Sequence, residues 1–451
     1  MLSAAAVETR TFFDELRDRE FSRLDAQHHA YLDYAGSALY GDSQLRAHHA
    51  LLRDGVFGNP HSDSGPSRAS TEAIEAARRR VLQFFDVDES THDVCFTANT
   101  SAAIKLVAES YPFSPETACI LAADNHNSVN GIREYARRAG ARVRYLPLDD
   151  ELRMGEAELF LCEESLHGEG LVAFPAQSNF SGVQHPLDLV LKARALGFDV
   201  LLDVAAFVPS HAFSLRQCPA GFVALSFYKL FGYPTGLGAL VARRDSIARL
   251  QRPWFAGGTV LYASVAADRH RLRPRNEGFE DGTPDFLGIA ALGAGFDLLA
   301  EVGMPRLTAH IARLTRDLLD DLRDLRHGNG APLVRIYGPR DTTARGGAVA
   351  FNIFDRDGGV IPYAIVEARA RRANVSLRGG CFCNPGASES AFGFDAARIG
   401  ACFEALGDGF TPDRFAECGG TAVGAVRASL GLATNADDIR RAVNVVASFR
   451  E

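Results

Sequence analysis

Ala224 to Leu240 reads ALSFYKLFGYPTGLGAL, and this stretch decides the fold. Phe222 to Leu225 is a short apolar run that reads as a buried strand. Ser226 and Tyr228 add hydroxyls, Lys229 follows, and Gly232, Pro234, Gly236 and Gly238 punctuate a turn. A lysine at the end of a buried strand is poorly solvated. Desolvation lowers its pKa and frees the amine to attack a carbonyl, as a Schiff-base lysine must. A lysine that snorkels to the surface has the same local sequence, so its neighbours in the chain must decide.

Upstream, strands are expected at Asp93–Thr97, Cys119–Ala122, Arg142–Leu146, Leu159–Cys162, Leu171–Ala176 and Asp199–Leu202. Helices are expected between them at Ala102–Glu109, Ser128–Arg138 and Pro186–Leu196. This alternation is the rhythm of a mostly parallel sheet with helices on its faces. In such sheets ligands sit at the carboxyl ends of strands. The polar residues at those ends are Asn99 to Ser101, Asn179, Asp203, and Ser226 with Lys229.

Asn99, Thr100 and Ser101 open a helix, where free N–H groups and the helix dipole favour an anion; plain N-capping uses the same residues. Asp203 closes a very apolar strand, so its carboxylate needs a cation, and a pyridinium nitrogen would serve. Asp203 and Lys229, 26 residues apart at the ends of successive strands, are placed as the protein partners of pyridoxal phosphate are. One holds the ring nitrogen protonated and the other forms the imine.

An amphipathic helix is expected over residues 11–25, with Phe12, Phe13, Leu16 and Phe21 as its apolar stripe. Gly58 to Ser67, GNPHSDSGPS, reads as a polar loop, followed by a helix from Thr71 to Phe85 capped by Ser70 or Thr71. Composition changes near residue 285. Two long helices (Phe286–Glu301, Pro305–Arg326) precede strands at Leu333–Tyr337, Ala348–Ile353, Val375–Leu377 and Thr421–Ser429, with helices at Ala364–Arg372 and Ala436–Ser448. The expected organisation is an N-terminal helical segment (1–29) packing with the small domain, a large domain (30–285), and a smaller α+β domain (286–451).

A chain of 451 residues with 47% hydrophobic and 23% charged residues can bury a sizeable core. Its net charge of −8 argues against a nucleic-acid footprint. MLSAAAVETR has no basic n-region, and the best apolar run, Ala195 to Val208, is broken by Asp199 and Asp203. A cytoplasmic protein without a membrane span is expected. The eight cysteines are scattered, which suggests reduced thiols, and only Cys381 and Cys383 are close together. No pair of CxxC motifs suggests structural zinc. Gly293-Ala294-Gly295, the one GxG worth testing, lacks a third glycine and lies in a helical pattern.

YLDYAGSALY, GNPHSDSGPS, ANTSAAIKLVAES, DNHNSVNGIREYA, FPAQSNFSG, LLDVAAF, SFYKLFGYPTGLGALV, FAGGTV, FEDGTPDF, RGGCFCNPGA and VRASLGLATNADD occur in this order over roughly residues 30 to 445. With them the chain resembles fold-type I pyridoxal-phosphate enzymes of the class V aminotransferase and cysteine desulfurase group. Within that group it is most similar to the N-terminal desulfurase domain of molybdenum cofactor sulfurases. The resemblance implies a large domain built on a mostly parallel seven-stranded sheet. Lys229 would carry the cofactor, Asp203 would pair with its ring nitrogen and His126 would stack on the ring. Asn99, Thr100, Ser101, Ser226 and Tyr228 would hold the phosphate. Thr259 would reach the phosphate of a partner subunit, implying a homodimer. Asn179 would lie beside the cofactor hydroxyl and the substrate, and Arg427 would clamp the substrate carboxylate. Cys383 would attack the substrate sulfur and become a persulfide. It sits in a glycine-rich loop near Arg378, which would favour the thiolate; Cys381 is the alternative nucleophile.

The implied reaction converts L-cysteine to L-alanine and passes sulfur from Cys383 to an acceptor protein or molybdenum cofactor. Three departures stand out. Ser388 replaces a third cysteine usual in the family, Ala206 replaces a residue that is often polar, and the chain ends at Glu451, so the final acceptor is expected elsewhere. The rival readings are a carbon–sulfur lyase or aminotransferase on the same scaffold, and a non-catalytic nucleotide-binding or scaffolding protein.

Overall fold

The structure is a computed structural model and describes residues 11–394, 396–420 and 423–451. Its centre is a seven-stranded sheet: β1 (His92–Thr97), β2 (Ala118–Ala122), β3 (Arg142–Leu146), β4 (Gly170–Pro175), β5 (Asp199–Asp203), β6 (Phe222–Ser226) and β7 (Gly238–Arg243). The strand order is β1-β7-β6-β5-β4-β2-β3. Only β7 runs against the others, so the sheet is mostly parallel, as the sequence implies.

Alternation along the strands explains why they are apolar throughout. Val94, Phe96, Val172, Phe174, Val200, Leu202, Val223 and Leu225 belong to one buried cluster. Cys95, Leu171, Ala173, Leu201, Phe222 and Ala224 belong to another, shared with Ala103, Ile104 and Val107 of the helix Thr100–Ser110. Both faces are covered, so neither can be polar.

A second sheet carries the C-terminal part of the site. Its strands are β8 (Val334–Tyr337), β9 (Ala348–Ile353), β10 (Arg378–Gly380) and β11 (Ala425–Ser429), in the antiparallel order β8-β9-β11-β10. Residues 30–31 pair in parallel with 375–376, and Asp33 bridges to Ser429. The start of the chain is thereby held against this second sheet. Arg17, buried, ties it further by donating to Asp438 (2.6 Å) and to Asp25 (2.9 Å).

Several expectations are corrected. Leu159–Cys162 lies in the helix Ala157–Ser165, not a strand. A four-residue apolar run does not distinguish the two; here Leu161 is buried while Glu164 pairs with Arg144 at 2.9 Å. The helix expected from Thr71 starts at Gly65, because Ser64 caps it and Pro66 suits its first turn. The N-terminal helix ends at Glu20, and a second short helix runs Arg23–Ala26, with Phe21 wholly buried between them. The long helix after 285 breaks at Ala291 into Phe286–Ala290 and Leu292–Val302, the latter containing the GxG glycines. The expected strand Thr421–Ser429 begins at Ala425; its first two residues lie outside the described residues. The cysteines are not all free thiols: Cys402 and Cys418 form a disulfide between two adjacent helices. Nothing in their spacing signals it, since 16 residues separate them and helix packing brings them together.

Candidate active site

Four strand ends meet at one cavity of about 160 Å³. β1 delivers Asn99, Thr100 and Ser101; β4 delivers Gln177 and Asn179; β5 ends at Asp203; β6 delivers Ser226, Tyr228 and Lys229. His126, following β2, closes one side. Nine of the residues singled out in the sequence therefore line a single space at the carboxyl edge of the parallel strands.

Lys229 sits in a helical turn, Phe227–Phe231, just past the end of β6 at Ser226 and ahead of Gly232, rather than at the strand end itself. Burial pushes its amine below the ordinary lysine range, Asp203 opposes this, and Arg427 reinforces it. A partly neutral amine is the reactive form. Asp203 is buried, and its Oδ1 accepts from the amide of Ala205 at 2.9 Å. Among the described residues no cation forms an ion pair with it. A buried carboxylate without a counter-ion is costly, and a cationic ring nitrogen would relieve that cost.

The β1 end is an anion-binding shape. Asn99 Oδ1 caps the helix Thr100–Ser110 by accepting from Ala102 N at 2.9 Å, so its own side chain is engaged as a cap. Gly238 allows this loop to lie against β7, since a Cβ there would fall 2.5 Å from the Asn99 carbonyl carbon. Thr100 N donates to Ser226 Oγ at 2.7 Å, and the Thr100 and Ser226 hydroxyls lie 2.6 Å apart. Ser101 and Ser128 hydroxyls are likewise paired at 2.5 Å. Hydroxyls and a helix N-terminus on one side, a bare carboxylate and a lysine on the other, make a donor set that fits pyridoxal phosphate.

His126 Nδ1 accepts from Ser128 N at 3.1 Å, which leaves the proton of the neutral ring on Nε2. Burial lowers its pKa and Asp203 opposes that shift. Tyr228 is pushed up by burial.

Three of the expected residues do not line the cavity. Cys383 is exposed on the loop between β10 and the helix Pro385–Phe392. That loop is pinned at several points. Asn127 N donates to Cys383 O (2.7 Å), Asn179 Nδ2 to Phe382 O (2.7 Å), and Asn384 Nδ2 to Asp124 O (2.6 Å) and Asn179 Oδ1 (2.9 Å). Phe382 and Cys383 both have φ of +56°, a conformation that L-residues adopt only when held. Charge on Cys383 raises the Lys229 pKa, so the thiol is within electrostatic reach of the amine. Cys381, the alternative nucleophile, is half-buried.

Arg427 is 1% exposed and touches the site through Asn179, donating from Nη1 to its carbonyl at 2.8 Å. Its Nη2 donates to Asp33 at 3.1 Å, and burial lowers its pKa to about 10. Arg378, expected beside the thiol, instead grips Asp33 through Nε and Nη2. Thr259 lies apart and fully buried, its hydroxyl donating to Ala256 O at 2.8 Å. Asp33, Asn384, Asp124 and Gln177 were not singled out from sequence. Asp33 and Asn384 stand in the stretches YLDYAG and CFCNPG, and their polarity within apolar surroundings is the signal available.

The fold and sequence place this arrangement among known proteins. A cysteine desulfurase from Thermococcus onnurineus NA1 superposes with a TM-score of 0.81 at 22% identity, covering 98% of both chains. The protein C-DES, solved as a mutant with glycine covalently linked to its PLP cofactor, superposes with a TM-score of 0.72 at 18% identity, covering 96% of this chain and 98% of that one. In sequence, molybdenum cofactor sulfurase 3 of Aedes aegypti is 37% identical over 442 residues, covering 94% of this chain. The chain spans only 56% of that relative's length. The aminotransferase class-V profile matches residues 30–442, most of the chain, and the chain belongs to the aminotransferase class-V family.

Proposed function

We propose that this chain is a pyridoxal 5'-phosphate-dependent cysteine desulfurase of the molybdenum cofactor sulfurase type. It would convert L-cysteine to L-alanine and hold the sulfur as a persulfide on Cys383. The observation that carries the reading is a cavity lined by Lys229, Asp203 and Asn179, with the Cys383 loop pinned to Asn179 through Phe382 O at 2.7 Å.

Lys229 would hold the cofactor, and its neutral amine is the base that would take the proton from the substrate α-carbon. Asp203 would keep the ring nitrogen protonated, and His126 would help to hold the ring. Thr100, Ser101, Ser226 and Tyr228 would hold the phosphate, with Asn99 capping the helix start. Asn179 would lie beside cofactor and substrate, and Arg427 would bind the substrate carboxylate. The bound cofactor supplies an electron sink for the pair that the breaking C–S bond leaves on carbon. The Cys383 thiolate attacks the substrate sulfur; an S–S bond forms as the C–S bond breaks, and protonation of the β-carbon with return of the proton to the α-carbon gives alanine. One thiol and one cysteine thus become one persulfide and one alanine.

The acceptor, by the name of the relatives, would be a molybdenum cofactor or a protein carrying it. A homodimer is part of the reading. Its support is the hairpin at Val260–Ser264 and Arg269–Leu272, where Leu261, Tyr262 and Val265 stand 59%, 71% and 99% exposed, close in sequence to Thr259. The division into a cofactor-holding part (30–285) and a part bearing the cysteine loop (286–451) draws support from the two separate sheets.

The test is product identity. Cofactor-loaded protein given L-cysteine should yield alanine in step with protein-bound persulfide. Pyruvate with free sulfide would instead make the protein a carbon–sulfur lyase.

A further inference from the structure

Arg378 on β10 and Arg427 on β11 are directly opposite each other across the antiparallel ladder. Like charges so placed repel. Arg427 is 1% exposed, where solvent screens little. One carboxylate answers both. Asp33 Oδ1 accepts from Arg427 Nη2 at 3.1 Å and from Arg378 Nε at 3.0 Å. Its Oδ2 accepts from Arg378 Nε at 2.9 Å and Nη2 at 2.5 Å. Among the described residues no other carboxylate forms an ion pair with either guanidinium.

The ion-paired set holds two cations and one anion, which leaves one positive charge within it; Glu367, which accepts from Gly379 N at 2.6 Å, acts on Arg378 from outside the set. Arg427 still has capacity to bind: its Nε is buried and has no hydrogen-bond partner. Its Nη1 is committed to Asn179, which lines the cavity with Lys229. Both Arg378 and Arg427 act on Lys229 electrostatically, so the cluster lies within reach of that amine's charge. A buried unmade hydrogen bond is costly, and a ligand carboxylate would satisfy it.

We propose that Asp33 is a specificity-determining residue. By cancelling one of two opposed arginine charges, it sets the recognition point to a single positive charge and selects amino acids with one carboxylate. The inference rests on the reading of Arg427 as the carboxylate-binding residue. An amino acid bearing a second acid group meets the negative charge of Asp33 and is disfavoured. Without Asp33, two unneutralised guanidiniums would attract it.

The experiment measures dissociation constants of L-alanine and L-aspartate from the absorbance of the cofactor-loaded protein. The wild type should prefer alanine. Asp33→Asn should shift the ratio toward aspartate by about tenfold or more. Arg378→Gln, at a half-exposed side chain, should weaken alanine with no gain for aspartate. The double variant restores a single positive charge and should return the ratio toward that of the wild type. An unchanged ratio in Asp33→Asn, or a double variant no different from Asp33→Asn, overturns the proposal. Should Asp33→Asn fail to fold, Arg378→Gln decides: undiminished alanine affinity overturns it. If neither amino acid perturbs the wild-type absorbance, the carboxylate-binding reading of Arg427 falls and takes this inference with it. If alanine binds normally and only the ratio fails to move, the role of Asp33 alone is lost.

Discussion

Asn384 Nδ2 donates to Asn179 Oδ1 at 2.9 Å, joining the cysteine loop to the end of β4. The two residues are 205 positions apart in sequence, and this bond brings the cysteine loop to a residue of the cofactor cavity. Asn384 is fully buried; it also donates to Asp124 O at 2.6 Å and caps the following helix through Ala387 N at 3.2 Å.

Asn384→Ala should therefore cost on the order of 2 kcal/mol, from the lost cap and the buried acceptors left unmade. Its larger effect should be on chemistry. Persulfide formation should fall several-fold while cofactor loading, read by absorbance, stays near wild type, because Asn384 makes its bonds to Asn179, Asp124 and Ala387 and none to Lys229, Asp203 or the residues that would hold the phosphate. Rapid-mixing assays of persulfide against absorbance check the separation.

Gly232 ends the turn that carries Lys229, with φ of +83°. A Cβ there would lie 2.3 Å from the Leu39 carbonyl carbon and from Tyr40 N, both backbone atoms that cannot rotate away. Gly232→Ala should destabilise the protein by at least about 1 kcal/mol and reduce cofactor loading, because the lysine turn must shift. Denaturant unfolding and the absorbance of the loaded protein provide the two readings.

His310 gives a pH signature. Its ring stacks on Phe13 at 3.7 Å, its Nε2 donates to Thr434 O at 2.9 Å, and burial lowers its pKa to about 4. A histidine held neutral in the fold takes up its proton more readily when unfolded. Its contribution is full above the unfolded value of about 6.5 and is lost as pH falls from there to about 4. The loss is on the order of 3 kcal/mol for a shift of this size. Unfolding free energy measured across this window should fall with pH, and His310→Gln should flatten the slope.

The exposed hairpin residues test the dimer. Val265→Asp with Tyr262→Glu places charges on residues 99% and 71% exposed in the single chain, so folding should be unaffected. Sedimentation should show monomers in the variant and dimers in the wild type. Equal sedimentation of the two would remove the hairpin from the interface.

The sheet and the cavity were legible because each depended on local pattern. Apolar runs ahead of Asp203 and Ser226 mark two strand ends, and parallel strands place such ends together. The antiparallel β7 was hidden in the glycine-rich stretch after Lys229, where Gly236 and Gly238 read as turn. Leu159–Cys162 reads as a strand yet lies in the helix Ala157–Ser165, because four apolar residues suit either element equally. The Asp33–Arg378–Arg427 cluster and the Cys402–Cys418 disulfide were not legible. Each joins segments whose meeting depends on the tertiary fold rather than on any local period.

The central claim is that sulfur from L-cysteine comes to rest on Cys383. The most direct measurement is mass analysis of the cofactor-loaded protein after a single turnover, with the added sulfur mapped to a peptide. One extra sulfur atom on the peptide containing Cys383, absent in Cys383→Ser, is the predicted result. Persulfide at another cysteine, or undiminished persulfide in Cys383→Ser, would contradict it.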